Sequence, residues 1–142
     1  AVVHTHSTAA TALSLLQDEV PFVHYQVAMF GGSVAVAPYA TYGTQELVDN
    51  INKAMAGRTG VILKQHGTLC IGDNLGKAYD RARQLEWLCD VWLRASAVGR
   101  PAARRGRRRS GTATAGRCAA TAPDPPWPAP GRSSRRRDRG SG

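Results

Sequence analysis

Cysteine is scarce in this sequence, and its spacing excludes two of its common uses. Cys70, Cys89 and Cys118 are odd in number and far apart, and no CxxC pair is present. This pattern argues against a disulfide scaffold and against a zinc site built from cysteine. Cys70 lies in an apolar run and Cys89 in a helical pattern, so we expect both to be small buried side chains. The scarcity of cysteine makes the reducing cytoplasm the expected location.

Long apolar runs are also missing. No stretch approaches the roughly 20 apolar residues that would span a membrane, so no membrane partner is expected. No signal peptide is visible, and the chain begins at Ala1, in what reads as an interior strand. We therefore expect a fragment that lacks the N-terminal part of its domain, with a processed mature chain as the alternative.

The end of the chain lacks the residues that build a core. Residues 97–142 contain no Leu, Ile, Met or Phe, and Arg, Pro, Gly, Ala and Ser dominate. Such a segment cannot bury enough apolar surface to offset its ordering entropy, so we predict a disordered tail over 96–142. Three interpretations stay open: a solvated linker, an out-of-frame reading of GC-rich DNA, and an arm that binds a polyanion.

The formal net charge of +9 belongs to this tail. Residues 1–93 carry −2, whereas residues 94–142 carry thirteen Arg and two Asp and hence +11. The basic pI therefore says nothing about the partners of the preceding region. Trp127 is the one aromatic residue in the tail, and no binding motif accompanies it. Nucleic acid is therefore not the expected partner, despite the positive charge.

Residues 1–95 show the alternating patterns of an α/β domain. Strands are predicted over 1–3, 61–63 and 68–71, an extended segment over 20–25, and helices over about 9–16, 45–56 and 75–95. Ser7 or Thr8, Thr44, and Asp73 or Asn74 are placed to cap these helices. In the longest helix we predict a buried stripe of Leu75, Ala78, Ala82, Leu85, Cys89 and Trp92. Its outer face is predicted to hold Lys77, Asp80, Arg81, Arg83 and Glu86.

Two histidines follow the first apolar run with one residue between them. Side chains alternate along a strand, so His4 and His6 are expected on the same face. His66 follows another apolar strand and precedes Gly67, which leaves room around it. Three neutral imidazoles with an open position are typical of a catalytic zinc site, whereas Mg²⁺ prefers oxygen ligands. From spacing alone, satisfied polar residues at strand ends remain the alternative.

Five blocks of residues occur in a fixed order along residues 1–95. They are His4-Thr5-His6-Ser7, then Val20-Pro21-Phe22-Val23-His24-Tyr25, then Gly31-Gly32, then Ala37-Pro38-Tyr39-Ala40-Thr41-Tyr42-Gly43-Thr44, and finally Gln65-His66-Gly67. Together they resemble the class II aldolase/adducin family, and within it the group of L-fuculose-phosphate aldolases. The resemblance covers the C-terminal half of the family domain. It implies an incomplete three-layer α/β/α fold with a central, largely antiparallel sheet, and a homotetramer for the intact protein.

The resemblance also implies a chemistry. A single Zn²⁺ would be held by His4, His6 and His66, and the reaction would be retro-aldol cleavage of a ketose 1-phosphate. The products would be dihydroxyacetone phosphate and an aldehyde. Such a cleavage needs an electron sink for the carbanion, supplied either by a metal or by a lysine Schiff base. No lysine of residues 1–95 has an evident apolar pocket, which favours the metal.

Tyr25 aligns with a family tyrosine that acts as a proton donor or stabilises the aldehyde end, although a core aromatic is the alternative. His24 is expected to point the other way along an extended strand, in a structural role. Tyr39 and Tyr42 are expected to stabilise their loop by packing, with a position at the mouth of the pocket as the alternative. Gln65 could orient a ligand histidine.

The sequence departs from the family pattern in one important respect. The family's general acid/base is a glutamate that precedes the first two histidines, and no such segment is present. The acidic residues that are present, such as Asp18, Glu19, Glu46 and Asp49, are better explained as surface charges and helix ends. We therefore predict that this chain alone lacks measurable aldolase activity.

Several other functions remain open within and outside this family. Pentulose-phosphate 4-epimerases and methylthioribulose-phosphate dehydratases use similar metal chemistry on the same fold. A non-catalytic, adducin-like interaction module would keep the fold without needing the three histidines. A nucleic-acid binder that works through the arginine-rich tail is the remaining class.

Overall fold

The computed structural model describes residues 1–102 of the 142. Four strands and three α-helices make up this part, together with a 3-10 helix over Tyr25–Phe30. The strands are β1 (Val2–Thr5), β2 (Val36–Ala37), β3 (Gly60–Leu63) and β4 (Gly67–Ile71). The helices are α1 (Thr8–Ser14), α2 (Gln45–Met55) and α3 (Leu75–Val98).

The strands form one sheet in the order β1-β4-β3-β2. β1 runs antiparallel to β4, with Thr5 opposite Thr68, and β4 runs antiparallel to β3, with Gly67 opposite Leu63. The short β2 pairs in parallel with β3. The predicted strands over 61–63 and 68–71 are therefore confirmed as partners, and the sheet is largely antiparallel as expected.

Helices cover both faces of this sheet because successive strand residues point to opposite sides. One face buries Ile62 and Cys70 against α1 and α3. The opposite face buries Val61 and Leu63 against α2 and the segment that leads into it. The three-layer α/β/α arrangement predicted from the family resemblance is confirmed for the described residues.

The core between the sheet and helices α1 and α3, here called the first core, also contains residues of the segment that links α1 to β2. These residues are Val20, Val27, Phe30 and Val34, all of them buried. This segment is not a regular strand: Val20 donates from its amide to the carbonyl of Val34, and the 3-10 helix then begins at Tyr25. His24 caps that helix by accepting from the amide of Gln26.

Two of the predicted helix caps are present. The hydroxyl of Thr44 accepts from the Leu47 amide at 3.3 Å, and the Asn74 side chain accepts from the Lys77 amide at 2.9 Å. These bonds satisfy amide groups that have no partner within the first helical turn. Gly57 follows α2 with a left-handed φ of 69°, the conformation that favours glycine after a helix.

The start of α1 is capped in a way the sequence did not suggest. Ser7 occupies the cap position but makes no side-chain cap bond. Instead, the carboxylate of Glu86 in α3 accepts from the amides of Ala9 at 2.8 Å and Ala10 at 2.9 Å. The prediction that Glu86 lies on the solvent face of α3 is therefore wrong, because unpaired amides at the start of α1 draw its carboxylate inward.

Other details of α3 also differ from the pattern. The helix ends at Val98, three residues beyond the predicted end near residue 95. Leu75 is exposed rather than buried, because the packed stripe begins one turn later at Ala78, and Leu88 is buried without having been predicted. Arg81 also departs from the predicted outer face, since its guanidinium donates to the carbonyl of Ile71.

Cys70 and Cys89 are both buried and unpaired, as the sequence predicts. Burial raises the pKa of the Cys70 thiol to about 12, and burial likewise raises the pKa of the Cys89 thiol. Both side chains therefore act as small core residues. Cys118 and all but the first few residues of the predicted tail lie outside the described part. Within residues 1–102, no helix is long and apolar enough to cross a membrane.

Removing the Glu86 carboxylate is expected to destabilise the fold. Glu86→Ala leaves the Ala9 and Ala10 amides without their charged acceptor, at a cost of about 2 kcal/mol in the free energy of unfolding. Urea denaturation of the full chain measures this cost. Asp80→Ala on the same helix is the control, because its exposed pair with Arg83 spans 3.9 Å and contributes at most about 1 kcal/mol. Equal effects of the two substitutions would contradict this account of Glu86.

Candidate metal centre

Three histidines from two separate stretches of the chain meet at one end of the sheet. His4 lies in β1, His6 follows β1, and His66 lies in the turn between β3 and β4. The antiparallel register of β1 and β4 sets Thr5 opposite Thr68, so the end of β1 lies beside the start of β4. A ring nitrogen from each histidine lies within 4.8 Å of the others, and the ring centroids are 5.0–5.1 Å apart.

Gly67 makes this close approach of β1 and β4 possible. A Cβ at this position would overlap the carbonyl oxygen of Thr5 and crowd the Cα of His6. Any side chain here would push β1 away from the turn that carries His66. Gly67 does leave room beside His66, as its sequence position predicts, but the backbone of β1 fills that room.

The orientation of the His4 ring is fixed by a backbone contact. Its Nδ1 lies 2.8 Å from the carbonyl oxygen of Thr68. A carbonyl only accepts hydrogen bonds, so Nδ1 carries the proton and donates. The lone pair of His4 is therefore on Nε2, the nitrogen left free to bind a metal.

Three hydroxyl groups form a network on the face of β1 and β4 that is opposite the imidazoles. The hydroxyl of Thr5 lies 2.6 Å from that of Ser7 and 2.7 Å from that of Thr68, which is fully buried. Because Thr5 separates the two histidines, this network holds the intervening residue while His4 and His6 project from the opposite face. The spacing between the two rings is therefore set by a buried, hydrogen-bonded anchor.

The histidines open onto a cavity of about 600 Å³. Its lining residues are His4, His6, Tyr39, Ala40, Tyr42, Gln65 and His66. Among the described residues, this lining contains no carboxylate, ammonium or guanidinium group. The polar side chains that it offers are imidazole, phenol and amide groups.

The electrostatics of the cluster favour the neutral form of His66. Partial burial lowers the pKa of His66, and the neighbouring positions of His4 and His6 lower it further. Protonating one ring beside two others brings like charges together, which disfavours the charged form. A neutral imidazole is the form that binds a metal ion, so the lowered pKa of His66 favours metal binding by this residue.

The donor set fits a transition metal rather than Mg²⁺ or Ca²⁺. Three imidazole nitrogens suit Zn²⁺ and its neighbours, whereas the two harder cations require oxygen ligands. His4 and His6 are exposed and His66 is half-buried, so the site faces the cavity instead of being closed. Three protein ligands with an accessible fourth position are the arrangement of a catalytic zinc site.

Tyr25 does not line this cavity. It begins the 3-10 helix, is 73 % exposed, and has its ring centroid 4.2 Å from that of His24. His24 also contacts Trp87 of α3, with centroids 5.0 Å apart. The expectation that His24 and Tyr25 point in opposite directions is wrong, because the chain turns into a helix at Tyr25 and the two rings lie together.

Two aromatic residues of the cavity come from the loop between Pro38 and Thr44. Tyr39 and Tyr42 are exposed and line the cavity, which is the alternative to the loop packing expected for them from the sequence. The ring centroid of Tyr42 is 6.2 Å from that of His66. The dense run of hydroxyls and aromatics between Pro38 and Thr44 is the sequence signal for this position at the mouth of the pocket.

The acidic residues considered in the sequence stay away from the cavity. Asp18 pairs with Lys64 at 3.2 Å on the surface, and Asp49 accepts from the side chain of Gln45 on α2. Glu19 joins a single bridge to Ala35, and its carboxylate is not among the cavity's lining groups. Their interpretation as surface charges agrees with these positions.

The structure combines a three-layer α/β fold with an accessible cluster of three histidines that could hold a metal ion. Residues 1–93 match the family model described as Class II Aldolase and Adducin N-terminal domain. The chain belongs to this family, which confirms the resemblance recognised in its sequence blocks.

Two curated relatives show which members of the family this chain is similar to. The L-fuculose phosphate aldolase of Escherichia coli strain K12 is 39% identical over 102 residues, which are 71% of this chain and 47% of the relative. The 5-deoxy-D-ribulose 1-phosphate aldolase of Bacillus thuringiensis is 35% identical over 101 residues, again 71% of this chain and 47% of the relative. The chain spans about half the length of the curated relatives it matches.

Solved structures agree with the family assignment. The structure of an L-fuculose 1-phosphate aldolase superposes with a TM-score of 0.69 at 39% identity, covering 73% of this chain and 49% of the other. A sugar-phosphate aldolase from Thermotoga maritima gives a TM-score of 0.62 at 26% identity, covering 70% and 46%. The described fold is therefore the fold of this family.

Proposed function

We propose that this chain carries the metal-binding part of a zinc-dependent sugar-phosphate aldolase. The reaction is the retro-aldol cleavage of a ketose 1-phosphate, such as L-fuculose 1-phosphate, to dihydroxyacetone phosphate and an aldehyde. One observation supports the proposal above all others. The ring nitrogens of His4, His6 and His66 lie within 4.8 Å of one another and open onto a cavity large enough for a small sugar.

Class II aldolases depend on a metal ion, and Zn²⁺ is the ion that this donor set favours. When bound, it would act as a Lewis acid that stabilises the negative charge left on the substrate oxygens after cleavage. His4 would bind through Nε2, because Nδ1 is committed to the carbonyl of Thr68. His6 and His66 would complete the set, and the substrate would enter from the open side of the cavity.

Tyr25 is proposed as the group that donates a proton or stabilises the aldehyde end. It does not line the cavity of its own chain and is largely exposed. We therefore place its action in the site of a neighbouring copy. This placement requires a homo-oligomer, in agreement with the tetramer that the family resemblance implies.

The general acid/base is the component that this cavity lacks. No carboxylate of the described residues lines it, so no group of this lining can take up and return the proton as the family's glutamate would. The zinc-loaded chain by itself is therefore expected to show no measurable cleavage. The proposed compartment is the cytoplasm, and the proposed partners are a phosphorylated sugar and other copies of this chain.

Alternative reactions on this fold are less well supported. The relatives from Escherichia coli and Bacillus thuringiensis are named as an L-fuculose phosphate aldolase and a 5-deoxy-D-ribulose 1-phosphate aldolase. This favours cleavage over epimerisation or dehydration. An adducin-like module without catalysis would not need the imidazole cluster, so retention of all three histidines argues against it.

A chimera tests the proposal directly. The half of the Escherichia coli aldolase that this chain does not match would be joined to residues 1–102 of this chain. We expect zinc-dependent cleavage of L-fuculose 1-phosphate, measured by coupled reduction of the dihydroxyacetone phosphate released. His66→Ala should reduce the rate at least about 100-fold because the third ligand is lost. Gln45→Ala is the control, since Gln45 is exposed on α2 and bonds only to Asp49. A correctly folded, zinc-loaded chimera without activity would contradict the proposal.

Mixing two inactive chimeras tests the placement of Tyr25. The Tyr25→Phe and His66→Ala variants should each be nearly inactive as pure oligomers. Subunit exchange would create sites with an intact metal cluster from one copy and an intact tyrosine from another. Part of the activity should then return, in proportion to such mixed sites. If exchange is verified by mass spectrometry and no activity returns, Tyr25 does not act between copies.

A further inference from the structure

We infer that Gln65 is a substrate-binding residue, whose side-chain amide recognises the hydroxyl or carbonyl oxygens of a sugar in the histidine cavity. This inference deepens the proposed function and rests on it. It concerns a residue whose sequence context suggested, at most, the orientation of a ligand histidine. Three features of the structure carry the argument: the backbone conformation of Gln65, its anchor, and the surroundings of its side chain.

The backbone of Gln65 adopts a conformation that glutamine rarely takes. Its φ is +60°, and it is the one residue other than glycine with positive φ among the residues that the structure describes. Glycine or asparagine would occupy this conformation more readily, because a Cβ crowds the neighbouring peptide groups there. A long side chain kept in this position indicates a use for that side chain.

Three hydrogen bonds hold this conformation in place. The amide of Gln65 donates to the hydroxyl of Ser14 at 3.0 Å, and that hydroxyl donates to the carbonyl of Thr11 at 2.7 Å. Ser14 is fully buried in α1, so the anchor belongs to the rigid part of the fold. The amide of His66 closes the turn on the carbonyl of Leu63 at 3.1 Å. The direction in which Gln65 leaves the backbone is therefore fixed.

The side chain of Gln65 lines the cavity together with the three histidines. It is exposed there, and its amide makes no hydrogen bond to another described residue. Both donors and the acceptor of the amide are consequently free for a ligand. No hydrogen bond links the amide to His4, His6 or His66, which separates this role from the orientation of a metal ligand.

The chemistry of the lining identifies the part of the ligand that Gln65 contacts. The cavity contains no Lys or Arg among its described lining residues, so it lacks the usual partners of a phosphate group. An amide that can both donate and accept suits the hydroxyl and carbonyl oxygens of a ketose instead. Gln65 therefore binds the hydroxyl and carbonyl oxygens of the sugar's carbon chain rather than its phosphate group.

Binding to the zinc-loaded full chain tests this role without requiring catalysis. Isothermal titration would measure the affinities for Zn²⁺, for L-fuculose 1-phosphate and for inorganic phosphate. Gln65→Gly accepts the left-handed backbone and removes the amide, whereas Gln65→Asn accepts it and shortens the amide. Gln45→Ala is the control, because Gln45 is exposed on α2 and bonds only to Asp49.

We expect Gln65→Gly to weaken L-fuculose 1-phosphate binding about tenfold, which corresponds to one lost hydrogen bond. The affinities for Zn²⁺ and for phosphate should change less than about twofold. The affinity of Gln65→Asn for L-fuculose 1-phosphate should fall between those of the wild-type chain and Gln65→Gly. Unchanged sugar-phosphate affinity in Gln65→Gly would overturn the inference, as would an equal loss of Zn²⁺ affinity. If the wild-type chain binds Zn²⁺ but not the sugar phosphate, the proposed function fails and this inference with it.

Discussion

The antiparallel pairing of β1 with β4 is the interaction on which the site depends. It sets Thr5 opposite Thr68 and brings the end of β1 beside the turn that carries His66. The contact is close because Gly67 has no side chain to hold the Thr5 carbonyl away. It also places the Thr68 carbonyl where it fixes the ring of His4. A single shift in register would turn His4 and His6 to the opposite face and dismantle the cluster.

The two faces of the β1–β4 pair have different roles. One side is buried and holds the strands together through the hydroxyls of Thr5 and Thr68 and through the first core. The other side carries the imidazoles and faces the cavity. Helix α1 contributes to both roles. Glu86 accepts hydrogen bonds from the amides at its start, and Ser14 at its end accepts one from the amide of Gln65 in the turn. Stability and site geometry therefore share the same hydrogen bonds.

Much of this architecture follows from short-range patterns in the sequence. The period of two places His4 and His6 on one face, and hydroxyl and amide side chains mark the starts of α2 and α3. The position of His66 beside them needs the pairing of distant strands, which the sequence supplied only through the family resemblance. Glu86 could not be placed from the helical pattern alone. Its position in α3 predicts exposure, but its carboxylate accepts hydrogen bonds from unpaired amides of another helix, α1. The left-handed backbone of Gln65 likewise depends on a tertiary contact with Ser14 and leaves no local signal.

The central claim is that the three histidines form one metal centre with a defined ligand set. X-ray absorption at the zinc edge, on the full chain saturated with one equivalent of Zn²⁺, tests it most directly. The account predicts three imidazole nitrogens at about 2.0–2.1 Å from the metal. It also predicts the loss of one imidazole in His4→Ala and no change in His24→Ala. A spectrum with fewer than three imidazoles in the wild-type chain, or one unaffected by the loss of His4, would contradict the account.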